Sequence, residues 1–114
     1  MRAIGWNNGS PTPSGGGYGL KVSPADRDRH FRPEWTQVVL RISGEEVTVG
    51  LSPAFWRRCS ELRAREIGRY LLDAGLAPWP KGRPPVLELV PQGEGLFTLR
   101  LPDRQTHAAA EGSH

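Results

Sequence analysis

Four prolines fall within the eleven residues Gly75-Leu76-Ala77-Pro78-Trp79-Pro80-Lys81-Gly82-Arg83-Pro84-Pro85. Such a segment can be neither helix nor central strand, because each proline removes a backbone donor and fixes φ. It therefore divides the chain into a longer part that holds any helix and a short closing part. Upstream, Ser52-Pro53 has the form of a helix start, a serine N-cap with proline in the first turn, and Gly75 supplies the stop. In a helix over 53–74, Trp56, Cys59, Ile67, Tyr70, Leu71 and Ala74 share one face, and Arg58, Arg65 and Arg69 cluster on the opposite side. Ser60-Glu61 has the form of a second cap, so the same pattern accommodates a break near Cys59. Downstream, Val86 to Val90 and Leu96 to Leu101 alternate about Pro91-Gln92-Gly93-Glu94-Gly95 and read as a hairpin whose register the pattern leaves open.

A second hairpin is expected from Gln37–Ile42 and Glu46–Leu51 about Ser43-Gly44-Glu45, since Val38, Val39, Ile42, Val47 and Val49 favour strand. Leu20-Lys21-Val22 reads as a short strand stopped by Ser23-Pro24, and residues 26–35 as a charged connector anchored by Phe31 and Trp35. Residues 1–19, rich in Gly, Asn, Ser and Pro, read as an ordered loop pinned by Trp6 and Tyr18. Residues 103–114 are polar and alanine-rich without a cap, which predicts a disordered tail. The expected fold is a single α+β domain over 1–102. It has a small, mostly antiparallel sheet or open barrel of four to five strands, and one main helix over 53–74.

Several classes are excluded. No apolar run approaches the ~20 residues of a membrane span, and Met1-Arg2 leads into Gly and Asn rather than an apolar signal region. The single Cys59 rules out an internal disulfide and a cysteine-rich zinc site. A soluble, cytoplasmic protein is expected. Fifteen Lys plus Arg against twelve Asp plus Glu give a net charge of +3, and the pI is about 9.6. Thirteen of the fifteen cations are Arg, the better residue for bidentate phosphate contact and for stacking. A GC-rich genome or a heat-loving host raises Arg equally, so composition alone does not assign a ligand.

The chemical motifs are sparse. Asp26, Asp28, His30 and Glu34 form a candidate metal cluster, in which Asp26, Asp28 and His30 would face one side of an extended stretch and suit a hard cation, as in a small metal-dependent hydrolase. The interleaved Arg27, Arg29 and Arg32 fit a solvated surface turn better. Cys59 is the one thiol, with His30 and His107 as conceivable bases, yet it lies on the apolar helix face and reads as a packed structural cysteine. Backbone amides of Gly15-Gly16-Gly17 could cradle an anion, but a strand rather than a helix N-terminus follows. There is no Walker loop and no His-Glu-x-x-His helix, and Pro102-Asp103 lacks a following Glu-x-Lys. Neither a catalytic residue, a metal nor a cofactor is expected.

What remains is arginine interleaved with aromatic residues. Arg27, Arg29, Arg32, Arg58, Arg65 and Arg69 would contact phosphates, and Trp6, Asn7, Asn8 and Trp79, with Lys81 and Arg83, would offer base, sugar or further phosphate contacts. Trp35 and Trp56 read as core, because large aromatic residues dominate small cores. For Trp6 and Trp79 both the core and the binding reading stand. The leading function is thus non-catalytic nucleic-acid binding, DNA rather than RNA. The rival is a protein-interaction module or accessory subunit of a larger assembly, using exposed Trp and Arg as anchors.

Gly5-Trp6-Asn7-Asn8-Gly9-Ser10, Gly17-Tyr18-Gly19, Asp26-Arg27-Asp28, Phe55-Trp56-Arg57-Arg58-Cys59 and Gly75-Leu76-Ala77-Pro78-Trp79-Pro80-Lys81-Gly82 resemble stretches of a group of short uncharacterised bacterial proteins. The resemblance covers most of residues 4–101 and implies no function. In layout, Ser23-Pro24-Ala25-Asp26 before a strand pair, and Lys81-Gly82 before the closing hairpin, are also similar to B3-type DNA-binding domains, which are small open barrels. The long helix and the missing Gly-Asp turn depart from that pattern, and a fold alone does not set a function.

Overall fold

The computed structural model describes residues 1–57 and 60–102. The elements run β1 (Arg2–Asn7), β2 (Tyr18–Lys21), α1 (Pro24–His30), β3 (Gln37–Ile42), β4 (Glu45–Gly50), α2 (Pro53–Arg57), β5 (Glu61–Arg63), α3 (Arg65–Asp73), β6 (Val86–Gly93) and β7 (Leu96–Arg100). The fold is α+β. Its strands form one seven-stranded sheet in the order β4-β3-β7-β6-β1-β2-β5. β3 and β7 are parallel, and the other pairings are antiparallel. The end strands β4 and β5 approach each other, so the sheet is nearly closed into a barrel.

Both expected hairpins form. Ser43-Gly44 turns β3 into β4 with φ of 51° and 86°, and Glu94-Gly95 turns β6 into β7 with φ of 53° and 80°. Two successive left-handed residues match the twist of the flanking strands, and glycine in the second place removes the strain there. The β6–β7 register shifts between Pro91 and Gly93, a bulge that accommodates a proline in the strand.

The expectation of four to five strands and one helix over 53–74 is corrected, among the described residues, to seven strands and three short helices. The stretch 53–74 is α2, then β5, then α3. In β5, Leu62 is fully buried while Arg63 is exposed, a period of two that a helix would not use. β5 pairs with β2 through Gly19↔Arg63, Leu20↔Leu62 and Lys21↔Glu61, and those ladder bonds outweigh local helical preference. The first strand also lies where a loop is expected. β1 alternates properly, but its inward residues are Ala3 and Gly5, too small to register as a hydrophobic period. Residues 26–30, the first part of the connector expected over 26–35, belong instead to the helix Pro24–His30, because Ser23 caps it: the Ser23 Oγ accepts from the Asp26 N–H at 3.1 Å, with Pro24 in the first turn. A Ser-Pro pair stands at the start of both α1 and α2. The expected tail over 103–114 lies outside the described residues.

The sheet curls around Leu20, Leu40, Leu62, Leu87, Leu89 and Phe97, and Ile67 and Leu71 of α3 join them. Phe31, just after α1, stacks on Phe97 at 4.8 Å and meets Phe55 of α2 at 5.1 Å. Trp35 and Trp56 are partly buried against this cluster. Among the described residues no helix is long and apolar enough to cross a membrane.

α3 sits directly on the β1–β2 loop, because a Cβ on Gly68 would fall onto the carbonyl of Gly15. In an ordinary helix Gly→Ala gains ~1 kcal/mol. Here Gly68→Ala should instead cost about 1–3 kcal/mol through overpacking, read as a lower urea midpoint. A raised midpoint would contradict the close approach.

Candidate functional site

The outward face of β1, β2 and β5 is set by strand register. Trp6 pairs with Gly19 and Gly19 with Arg63, so these three form one row across the sheet. Ile4, Lys21 and Glu61 form the adjacent row, and Arg2 lies two residues further along β1. Gly19 makes the first row possible: a Cβ there would stand 2.5 Å from the Leu62 carbonyl oxygen and 3.2 Å from the Trp6 ring. With nothing between them, the Arg63 guanidinium lies 4.6 Å from the Trp6 ring centroid, within cation–π range. Arg63 also donates to Glu61 at 2.6 Å. The Glu61 side chain is only 6% exposed and the Arg63 side chain 61% exposed, so the pair presents its cation to solvent.

The β1–β2 loop closes one side of this surface. The Asn7 Oδ1 accepts from the Gly9 N–H at 2.8 Å and the Asn8 Oδ1 from the Ser10 N–H at 2.9 Å, two Asx turns in succession. The Gly15 N–H bonds the Thr12 carbonyl and the Gly16 N–H bonds the Thr12 Oγ1. These two glycine amides are therefore used within the loop and do not form an anion cradle. A cleft of about 340 Å³ lies between loop and sheet, lined by Trp6, Asn8, Gly17, Tyr18, Arg63 and Arg65. Along the same face a second cleft of about 500 Å³ is lined by Arg2, Ile4, Lys21, Val22, Pro24 and Asp26, among others.

The residues singled out from sequence do not share one surface. Trp6, Asn8 and Arg65 come together. Trp79 does not join them. It packs against the inward face of β1, where a Cβ on Gly5 would meet its ring, and against Tyr18 at 5.7 Å. Lys81 and Arg83 are exposed on the same proline-rich loop. Arg29 and Arg32 are exposed and line a separate cleft with His30, Trp35 and Glu94. Arg69 lines a cleft with Glu45, Glu66 and Asp73, where acids outnumber it. In that cleft burial pushes the Tyr70 hydroxyl above its ordinary range. Arg58 and Cys59 lie outside the described residues.

Arg27 is a strut. Its side chain is 12% exposed, it pairs with Asp28 at 3.0 Å, and it donates to the Phe55 carbonyl and to the Ser60 hydroxyl. Trp56 covers it at 5.7 Å. Asp26, Asp28 and His30 stand on α1 rather than on an extended stretch, so they do not project to one side. Among the described residues no group of three or more His, Cys, Asp or Glu could hold a metal ion.

Sequence reasoning missed Arg2, Lys21 and Arg63. The signal for Arg63 was the triplet Glu61-Leu62-Arg63, polar on either side of an apolar residue, hidden inside a longer helical pattern. No protein-family model, curated protein or solved structure matches the chain.

Arg27→Ala should lower stability by about 1–3 kcal/mol, because the Phe55 carbonyl and Ser60 hydroxyl lose their donor. Chemical denaturation measures it, and an unchanged midpoint would show that Arg27 does not tie α1 to α2.

Proposed function

We propose that this protein is a non-catalytic nucleic-acid-binding module, with DNA the favoured polymer. The observation that carries the reading is the Trp6–Arg63 pair, a half-buried indole beside a solvent-facing guanidinium on the outward sheet face. Nucleic acids offer two things to bind, phosphates and base faces. Here Arg63, Arg65, Lys21 and Arg2 meet the first need and Trp6 the second. The loop bonds occupy the carbonyl side of Asn7 and Asn8, so their contribution is the Nδ2 donors, directed at base acceptors or phosphate oxygens. Arg29 and Arg32 beside Trp35, and Lys81 with Arg83, are exposed cations elsewhere that extend the attraction without sharing the cleft. Arg27 contributes to the fold rather than to the ligand.

Fluorescence anisotropy with labelled single- and double-stranded DNA and RNA, at about 50 and 200 mM salt, tests this. Neutralising even three phosphates should make binding fall about tenfold or more over that range. Arg63→Ala should weaken it at low salt. No binding to any of the four polymers at 50 mM salt would overturn the proposal.

A further inference from the structure

We infer that the ligand is a single strand, extended along β1, rather than a duplex; this rests on the nucleic-acid reading above. The outward residues of β1 are Arg2, Ile4 and Trp6, one every two positions. Along a strand that spacing is about 6.5 Å. Neighbouring bases in a stacked duplex are only about 3.4 Å apart along each strand. Bases resting on Trp6 and Ile4 are therefore not stacked on each other, and the chain that carries them is stretched. An indole also stacks on a base only when the face of that base is free, as it is in an unpaired strand.

Charge follows the same track. Arg63 and Arg65 stand at the Trp6 end, Lys21 beside Ile4, and Arg2 at the far end, across two adjoining clefts. The acid nearest Arg63, Glu61, is buried and already paired with it. Asp26, on α1, is the acid in the lining of the second cleft.

Duplex recognition would call for an element that enters a groove, and α3 is ill suited to it. Ile67, Gly68 and Leu71 are buried against the sheet and loop, and Arg69 on its exposed side sits among Glu45, Glu66 and Asp73. Phosphates are repelled there. On the sheet face Arg2, Lys21, Arg63 and Arg65 stand against Asp26, against Glu61, already paired with Arg63, and against Glu88, which is the cross-strand partner of Arg2 and lies 3.9 Å from Arg100.

The test is anisotropy at about 50 mM salt with labelled oligo-dT, oligo-rU and a duplex of mixed sequence, using the full chain. The single strand should bind about tenfold or more tighter than the duplex. Trp6→Ala should weaken single-strand binding about 5- to 150-fold, the loss of one stacked base, while Trp6→Phe keeps most of it. Lys21→Ala, at an exposed position, should weaken it less and make it less salt-dependent. The dT and rU arms decide the sugar. Equal affinity for duplex and single strand, or an unchanged affinity in a folded Trp6→Ala variant, overturns the single-strand inference and leaves nucleic-acid binding standing. Absence of binding to all three probes overturns both.

Discussion

The parallel pairing of β3 with β7 joins the hairpins into one sheet. Its register, Val39↔Leu96, Leu40↔Phe97 and Arg41↔Thr98, joins the β3–β4 hairpin to the β6–β7 hairpin, and β6 in turn pairs with β1. Parallel neighbours need a long crossover, and here the chain between β3 and β7 runs through β4, α2, β5, α3 and β6. The pairing also sets Phe97 beneath Phe31, against which Phe55 packs. Large aromatic side chains bury 150–250 Å² each, so this contact fastens α1 and α2 to the sheet. Because the crossover returns along the far edge, β5 covers the open side of β2. The binding face proposed here is a consequence of that route.

Two missing side chains then bring distant parts of the chain together. Gly68 admits the backbone of the β1–β2 loop against α3, and Gly19 admits Trp6 and Arg63 into one row. The first contact steadies the loop that carries Asn8, and the second forms the stacked cation and indole. Fold and site thus draw on the same device, close approach of backbone where no Cβ intervenes. Arg27 works by the opposite means, its long side chain spanning from α1 to the Phe55 carbonyl and Ser60 hydroxyl.

Much of the sheet was legible in the sequence. The β3–β4 and β6–β7 hairpins announce themselves through valine-rich alternation and glycine turns, and the structure keeps their ends within one residue except that β6 runs three residues past Val90 to Gly93. β1 was illegible because Ala3 and Gly5 bury almost nothing that marks a period. α1 was illegible because it has no buried residue, only its Ser-Pro start. β5 was illegible because three residues between two helical stretches look like helix until β2 is placed beside them. At the candidate site the residue types, Trp6, Asn8 and Arg65, stood out, but their grouping did not. Which residues share a face is decided by register. Register brought Arg63 and Lys21 to the outer side, while the proline-rich loop carries Trp79 to the inner side of β1.

In the proposed single-strand complex Trp6, alone among the four tryptophans, meets the ligand. The indole Nε1–H resonances of Trp6, Trp35, Trp56 and Trp79 can be followed by NMR while a short single-stranded oligonucleotide is added. The account predicts that the Trp6 resonance moves and saturates while the other three hold nearly still. A saturating shift at Trp35 or Trp79 with Trp6 unmoved would place the binding surface elsewhere and contradict it.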